Sequence, residues 1–165
     1  MAGASSFDVV SRVEMPEVLN AVNQAMMEIK QRYDFKGSVS KIELKESEKK
    51  IVLTSDDEFK LKSVIDVLQG KLVKRKVDLK SLKYGNIEGA SGGTVRQEVT
   101  LLQGIDADTA RKIVKAVKDA KMKVQSHIRE QEVRVSGKKK DDLQAAIQLL
   151  KDKDFGLPLQ FVNYR

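Results

Sequence analysis

The stretch Ile51-Val52-Leu53-Thr54-Ser55-Asp56-Asp57-Glu58 decides the fold, because it combines a strand with the start of a helix. Within residues 50–54, Ile51 and Leu53 lie on one face of the predicted strand. Ser55 and Glu58 have the spacing of a capping box, which is typical of a helix N-terminus. The apolar residues that follow recur at helical spacing: Leu61, Val64, Ile65 and Leu68. The stretch therefore predicts a strand followed directly by a helix.

The same pattern returns later in the chain. A shift of 82 residues places five apolar residues of this strand and helix on apolar residues of the second half: Ile51 on Val133, Leu53 on Val135, Leu61 on Leu143, Ile65 on Ile147 and Leu68 on Leu150. The match runs through strand and helix without a gap, whereas one gap is needed to align the earlier strand and helix. The sequence therefore indicates duplication of one fold.

Each half has the element order strand, helix, strand, strand, helix, strand. In the first half we predict strands at 7–13, 41–45, 50–54 and 77–84, a helix at 15–33, and a helix that starts in the stretch 55–58 and runs through Leu68. In the second half we predict strands at 95–102, 123–129, 132–136 and 159–164, and helices after Asp106 and through 143–150. This order predicts an α+β fold of two tandem ferredoxin-like βαββαβ domains, each a four-stranded antiparallel sheet with two helices on one face.

The segment 85–93 contains four glycines and is interpreted as the linker between the two domains. We therefore expect a first domain at 1–89, after a short disordered arm at 1–6, and a second domain at 90–165. In tandem repeats of this kind a terminal strand can join the sheet of the other unit. The strand at 7–13 is the candidate for such an exchange.

The composition excludes several classes of function. The chain has no cysteine and one histidine, which excludes disulfides, thiol chemistry and a His-rich metal site. No spacing marks an activated nucleophile, and the glycine-rich 89–94 lacks the Gly-Lys-Ser/Thr ending of a phosphate loop. No apolar run approaches the ~20 residues of a membrane span, and no secretory signal is present. We therefore expect a cytoplasmic, non-catalytic protein without metal, cofactor or membrane partner.

Charge and strand alternation point to a polar sheet face in the second half. The net charge is +7, and most of the lysine and arginine excess lies after Gly89. Alternation directs one set of side chains away from the helices: Arg96, Glu98, Thr100, Gln125, His127, Arg129 and Arg134. Arginine can grip phosphate with two parallel hydrogen bonds, while glutamine and histidine can bond base edges. Nucleotide-binding candidates on this face are Arg96, Gln125, His127, Arg129 and Arg134; the alternatives are a solvated face or an interdomain contact.

Three further basic features are candidates for phosphate contact, each with a solvated surface as its alternative. They are the helix face Arg111, Lys115, Lys118 and Lys121, the run 71–76, and the run 137–142. In the last of these, Gly137 allows close backbone approach and Lys138 precedes the free N–H groups of a predicted helix. Gly137 and Lys138 therefore join the candidate residues.

Sequence-specific stacking of RNA on aromatic side chains is not expected. The central strands lack the RNP1-type aromatic pattern, and Phe7 alone does not restore it. Electrostatic contact with RNA stays an alternative.

Several stretches resemble the bacterial YajQ family. They are Ser6–Ser11, Arg32–Gly37 (RYDFKG), Lys123–Gln125, Val133–Gln144 and Leu159–Arg165, in order along the chain. The resemblance implies tandem ferredoxin-like, RNP-like domains that bind nucleotides rather than catalyse. Some relatives are described as binding cyclic di-GMP and influencing transcription, and others as binding GTP or tRNA.

The resemblance also directs attention to RYDFKG. Tyr33 is predicted to complete the apolar stripe of the preceding helix, and Phe35 to anchor the loop by packing. Arg32, Lys36 and Gly37 are hypothesised to line a pocket between the two units.

The leading interpretation is a regulatory protein that binds a guanine nucleotide or cyclic di-GMP through Arg and Lys phosphate contacts; the candidate nucleotide partners are GTP, ATP and cyclic di-GMP. One alternative is an accessory protein that contacts tRNA or other RNA. The second is a protein–protein adaptor whose basic patches meet an acidic partner. A protein partner in transcription regulation is a further candidate.

Overall fold

The computed structural model describes residues 4–165, which contain four α-helices and eight strands. The helices are α1 (Met15–Gln31), α2 (Glu58–Lys74), α3 (Ala107–Asp119) and α4 (Lys140–Lys151). The strands are β1 (Ser5–Val10), β2 (Lys41–Lys45), β3 (Lys50–Ser55), β4 (Leu82–Gly89), β5 (Val95–Leu101), β6 (Val124–Arg129), β7 (Glu132–Gly137) and β8 (Gln160–Val162). Part of the predicted N-terminal arm, residues 1–3, lies outside the described residues, while Ser5 and Ser6 belong to β1.

The strands form two four-stranded antiparallel sheets, with the orders β6-β7-β1-β8 and β2-β3-β5-β4. The predicted α+β class with two ferredoxin-like domains is confirmed. Two strands each lie in the sheet of the opposite half of the sequence: β1 pairs with β7 and β8, and β5 pairs with β3 and β4.

The two compact units do not follow the predicted boundary at residue 89. The inserted unit is residues 13–102, and the split unit is residues 4–12 together with 103–165. The segment predicted as a linker forms a hairpin instead, because Leu82 pairs with Leu101 and Gly89 with Val95. Glycines suit a hairpin as well as a linker, since both need unusual backbone angles: Gly92 and Gly93 have φ near +73° and +80° in the turn.

In the split unit the helices α3 and α4 pack on one face of the sheet. Phe7 and Val9 of β1 are fully buried in this core, with Val133 and Val135 of β7. The helices contribute most of the remaining buried residues, among them Ile113, Ala146 and Leu150. Burial of Phe7 and Val9 explains why β1 belongs here, since fully burying a large apolar side chain stabilises by about 2 kcal/mol.

In the inserted unit α1 and α2 pack on the other sheet. The predicted strand residues Ile51 and Leu53 and the helix residues Leu61, Val64 and Leu68 are buried together, as the alternation and helical spacing predict. The β5 strand occupies the central place beside β3 that β1 holds beside β7 in the split unit. The two units therefore build one architecture from different chain orders.

The caps of the helices correct one prediction. The N-cap of α2 is Asp57, whose side chain accepts from Lys60 N at 2.7 Å, rather than Ser55. Ser55 is the last residue of β3 and is fully buried against Ser40. Asp106 caps α3 as predicted, accepting from Thr109 N at 3.2 Å.

The RYDFKG segment begins after α1 has ended. The helix stops at Gln31, and Tyr33 is 87 % exposed, so the prediction that Tyr33 completes the apolar stripe is wrong. Arg32 has an extended backbone, and its side chain bridges Glu28 and Asp34 and lies over the ring of Phe35. Phe35 is buried and packs in the core of the inserted unit, as predicted.

Candidate functional site

A pocket of about 960 Å³ lies on the split unit where β1 and β6 begin and β7 ends. Five of the ten candidate residues line it: Gln125, His127, Arg134, Gly137 and Lys138. The volume is in the range of small-molecule sites in proteins, roughly 300–1,000 Å³. The split unit therefore brings half of the candidates into one concave surface.

The register of the sheet explains why the polar candidates meet. Gln125 lies opposite Ser136, which lies opposite Ser6, so the three form one row across β6, β7 and β1. His127, Arg134 and Asp8 form the next row of partners. Side chains in such rows share the face of the sheet that points away from the helices. The result is a polar wall of amide, hydroxyl, imidazole and guanidinium groups.

One end of the pocket is cationic. Lys123, Lys138 and Lys139 line it, and Asp142 is the carboxylate among its lining residues. The helix α4 begins there, and its N-cap Lys139 makes no side-chain cap hydrogen bond. The N–H groups of a first helical turn carry partial positive charge and suit an anion. This end of the pocket is therefore electrostatically suited to phosphate.

Gly137 lets β7 and β6 approach closely beside the pocket. A Cβ at this position would lie 3.1 Å from Val124 Cγ1 and 3.2 Å from the carbonyl oxygen of Lys123. Both distances are tighter than ordinary contacts, and one neighbour is backbone. A larger residue would push β6 outward, so glycine preserves the shape of this end of the pocket.

The buried carboxylate of Asp8 holds the side chain of Arg134 in place. Its Nε donates to Asp8 Oδ1 at 2.9 Å and its Nη2 to Asp8 Oδ2 at 3.4 Å. The Nδ2 group of Asn163 donates to Asp8 Oδ2 at 2.8 Å. The hydrogen bond from Arg134 holds the pKa of Asp8 below its usual range, against the opposing effect of burial. Asp8 therefore stays ionised and keeps Arg134 in place.

Two other sheet-face candidates lie elsewhere. Arg96 is on β5 in the inserted unit, where its Nη2 lies 3.0 Å from Glu98, which also binds Lys50. The predicted single face with Gln125 and His127 is therefore corrected, because β5 belongs to the other sheet. Arg129 is exposed at the far end of β6 opposite Glu132 and does not line the pocket.

The RYDFKG candidates belong to the inserted unit and do not line this pocket. Arg32 is paired with Glu28 at 3.1 Å and with Asp34 at 2.8 Å. Lys36 lies 6.0 Å from the ring centre of Tyr33, and Gly37 has a φ of +75° that favours glycine. Their assignment to a ligand pocket stays a prediction.

Sequence reasoning missed several residues of the pocket and its support. Ser6 and Asp8 lie on β1 near one end of the chain, and Asn163 follows β8 near the other end. Only the pairing of β1 with β7 and β8 brings these residues to the pocket and its support. Lys139 sits in the basic run that was singled out, and Lys123 in a stretch that carried the family resemblance. A signal for Asp8 exists in the sequence: a lone acid in the apolar strand Phe7–Val10 needs a partner when buried.

No helix within residues 4–165 is both long enough and apolar enough to cross a bilayer.

Comparison with known proteins gives one family. A family model described as nucleotide-binding protein YajQ-like matches residues 5–165. A protein of Carboxydothermus hydrogenoformans named "Nucleotide-binding protein" is 60 % identical over 165 residues, covering all of both chains. Another of the same name from Desulforamulus reducens is 57 % identical, covering all of this chain and 99 % of the relative.

Proposed function

The chain belongs to the YajQ-like family of nucleotide-binding proteins, and from this we propose that it is a non-catalytic, regulatory nucleotide-binding protein of the cytoplasm. Its ligand is a guanine nucleotide or cyclic di-GMP. The observation that carries the proposal is the pocket of the split unit, where a polar wall meets a cationic end.

The phosphate groups of the ligand bind at the cationic end. Lys123, Lys138 and Lys139 supply charge there, and the start of α4 supplies main-chain N–H donors. Charge-assisted hydrogen bonds of this kind are about twice as strong as neutral ones. Phosphate is the part of a nucleotide that such a set of donors attracts most.

The base lies along the polar wall. Gln125 and His127 are exposed on β6 and can donate to or accept from the edge of a base. Ser136 and Ser6 add hydroxyl groups in the same row. A ligand with a phosphate group and a hydrogen-bonding ring would fill both ends of the pocket.

The inserted unit supports the assignment by contrast. The 82-residue shift that aligns the two halves places Asp56 on Lys138 and Asp57 on Lys139. In the inserted unit Asp57 caps α2, and Asp56 binds Ser38 and the main chain of Val39. An anion would meet carboxylates at that turn, whereas it meets lysines at the corresponding turn of the split unit.

Isothermal titration of nucleic-acid-free protein with GTP, ATP, cyclic di-GMP and tRNA at two salt concentrations tests the proposal. We expect saturable binding of a small nucleotide with a shallow salt dependence. The double variant Lys138→Ala with Lys139→Ala should weaken it by at least about tenfold, since each lost charged contact costs roughly 1.5–3 kcal/mol. The matched control is Lys62→Ala with Lys83→Ala, which removes the same charge from exposed positions of α2 and β4 in the inserted unit.

The other outcomes separate the alternatives. Binding to tRNA alone, lost steeply with salt, would favour an RNA accessory role through phosphate contacts. Base stacking on Phe7 would not contribute to it, because Phe7 is fully buried on the helix side of the sheet. If the protein binds none of these ligands, the adaptor alternative is favoured, with an acidic partner in transcription regulation.

A further inference from the structure

The ion pair of Asp8 and Arg134 leaves one edge of the guanidinium free. Asp8 receives the Nε and Nη2 hydrogens that point to one side of the plane of Arg134. A guanidinium carries five N–H groups, so three stay available on Nη1 and Nη2. Two of these lie parallel and form a fork that can donate to two adjacent acceptors.

Burial of Asp8 fixes the orientation of the Arg134 guanidinium. The side chain of Asp8 is 2 % exposed, whereas that of Arg134 is 24 % exposed and lines the pocket. Asn163 donates to the second oxygen of Asp8, so the carboxylate is itself anchored. The tail beyond β8 is tied to β1 as well, because Arg165 N donates to the carbonyl of Ser6 at 3.0 Å. Arg134 is therefore braced rather than freely rotating.

Charge decides what the fork is suited to bind. Arg134 is neutralised by Asp8, and an incoming phosphate would feel the carboxylate behind it. The unpaired lysines of the other end, Lys138 and Lys139, attract phosphate better. A neutral ring edge with two adjacent acceptors satisfies the fork without that repulsion. Guanine has such an edge in O6 and N7, whereas adenine presents one acceptor and one donor there.

We infer that Asp8 is a positioning residue that fixes Arg134 so that its free edge reads the two acceptors of a guanine base. The inference rests on the proposed nucleotide-binding function and assigns base preference within the same pocket. His127, the cross-strand partner of Arg134, borders the same place on the wall. The preference for guanine therefore depends on a buried carboxylate that does not touch the ligand.

The test is the ratio of the affinities for GTP and ATP, because the two share the triphosphate and differ in the base. We expect the wild-type protein to bind GTP about tenfold or more tightly than ATP. Asp8→Asn removes the charge that orients Arg134, so the ratio should fall to within about threefold of one. Arg134→Lys keeps the positive charge beside Asp8 but loses the fork, and should lower the ratio equally.

The control is Glu98→Gln, which removes a carboxylate from an ion pair of the inserted unit and should leave the ratio unchanged. Circular dichroism shows whether each variant is folded, and Arg134→Lys keeps the test open if Asp8→Asn does not fold. A wild-type ratio near one, or a ratio kept in both variants, overturns the inference while leaving nucleotide binding intact. Failure of the wild-type protein to bind any of GTP, ATP and cyclic di-GMP overturns the proposed function itself.

Discussion

Two turns at the same place in the two units have opposite charge. In the inserted unit β3 runs into α2 through Ser55-Asp56-Asp57, and in the split unit β7 runs into α4 through Gly137-Lys138-Lys139. Asp57 satisfies the start of α2 with its own carboxylate, while α4 has no side-chain cap at Lys139. The same architecture therefore has a side-chain cap at the start of the helix in one unit and no side-chain cap in the other.

The polar sheet faces of the two units also differ in how their charged side chains are paired. In the inserted unit, Lys50 and Arg96 both pair with Glu98 at 3.0 Å, so their charge is answered within the sheet. In the split unit the lysines border a pocket, and the carboxylate that pairs with Arg134, Asp8, is buried. The comparison teaches that two units of one architecture differ chemically through the charges at the strand-to-helix turn and on the sheet face.

The largest effect is expected from giving the split unit the turn of the inserted unit. Lys138→Asp with Lys139→Asp should lower nucleotide affinity by about two orders of magnitude, because two attractive charges become repulsive. The same change places Asp at the N-cap of α4 and should raise the free energy of unfolding by about 1 kcal/mol. Titration calorimetry and urea unfolding measure the two effects.

A variant that binds nucleotide more weakly but has a higher free energy of unfolding has lost binding and not structure. Lys62→Asp with Lys83→Asp makes the same change in net charge on the inserted unit and is the control for nucleotide affinity. Unchanged nucleotide affinity in the turn variant would remove the pocket from consideration.

A smaller effect is expected from the carboxylates of the two sheet faces. Asp8→Asn should lower the free energy of unfolding by about 2 kcal/mol at pH 7, because charge-assisted hydrogen bonds to a buried carboxylate are lost. Glu98→Gln should have a clearly smaller effect on the urea midpoint, since its side chain is 40 % exposed. If Asp8→Asn and Glu98→Gln lowered the stability equally, the carboxylates on the two sheet faces would contribute equally to stability, contrary to the comparison.

Acid provides an independent check on Asp8. The pKa of Asp8 is lowered in the folded protein by Arg134 and Asn163, so its stabilisation is present above about pH 4 and is lost as the pH falls below that. The stability gap between wild type and Asp8→Asn should therefore be full at pH 7 and narrow by pH 3. A gap that is independent of pH would contradict an ionised Asp8.

The smallest effect is expected at the cap of α2. Asp57→Ala should destabilise the protein by about 1 kcal/mol, because the N–H of Lys60 loses its acceptor. Lys139→Ala, at the matching position of α4, should cost little, since it removes no cap hydrogen bond. Urea unfolding compares the two, with Asp57→Asn as a control that keeps an acceptor. A larger loss for Lys139→Ala would reverse the assignment of the two turns.

Local pattern predicted most elements of the fold and five of the residues that line the pocket. Alternation placed Gln125, His127 and Arg134 on one face of their hairpin, because side-chain direction in a strand has a period of two. It could not show that Arg96 lies in another sheet, since alternation describes one strand and not its neighbours. Helical periodicity also predicted that α1 extends to Tyr33. The pattern carries no information on the ion pairs that Arg32 makes with Glu28 and Asp34 just after the helix ends.

The sequence by itself determined the class of fold, the duplication, the apolar cores and the basic turn at 137–139, because these depend on local spacing and composition. Only the tertiary structure decided that β1 joins β7 and β8, that β5 joins β3 and β4, and that Asp8 and Asn163 meet Arg134. Strand pairing at long sequence separation depends on which apolar faces can be buried together, as Phe7 and Val9 show. The cationic end of the pocket was therefore visible along the chain. The support of Arg134 was not, because Asp8 lies 126 positions from Arg134 and 155 positions from Asn163 in the sequence.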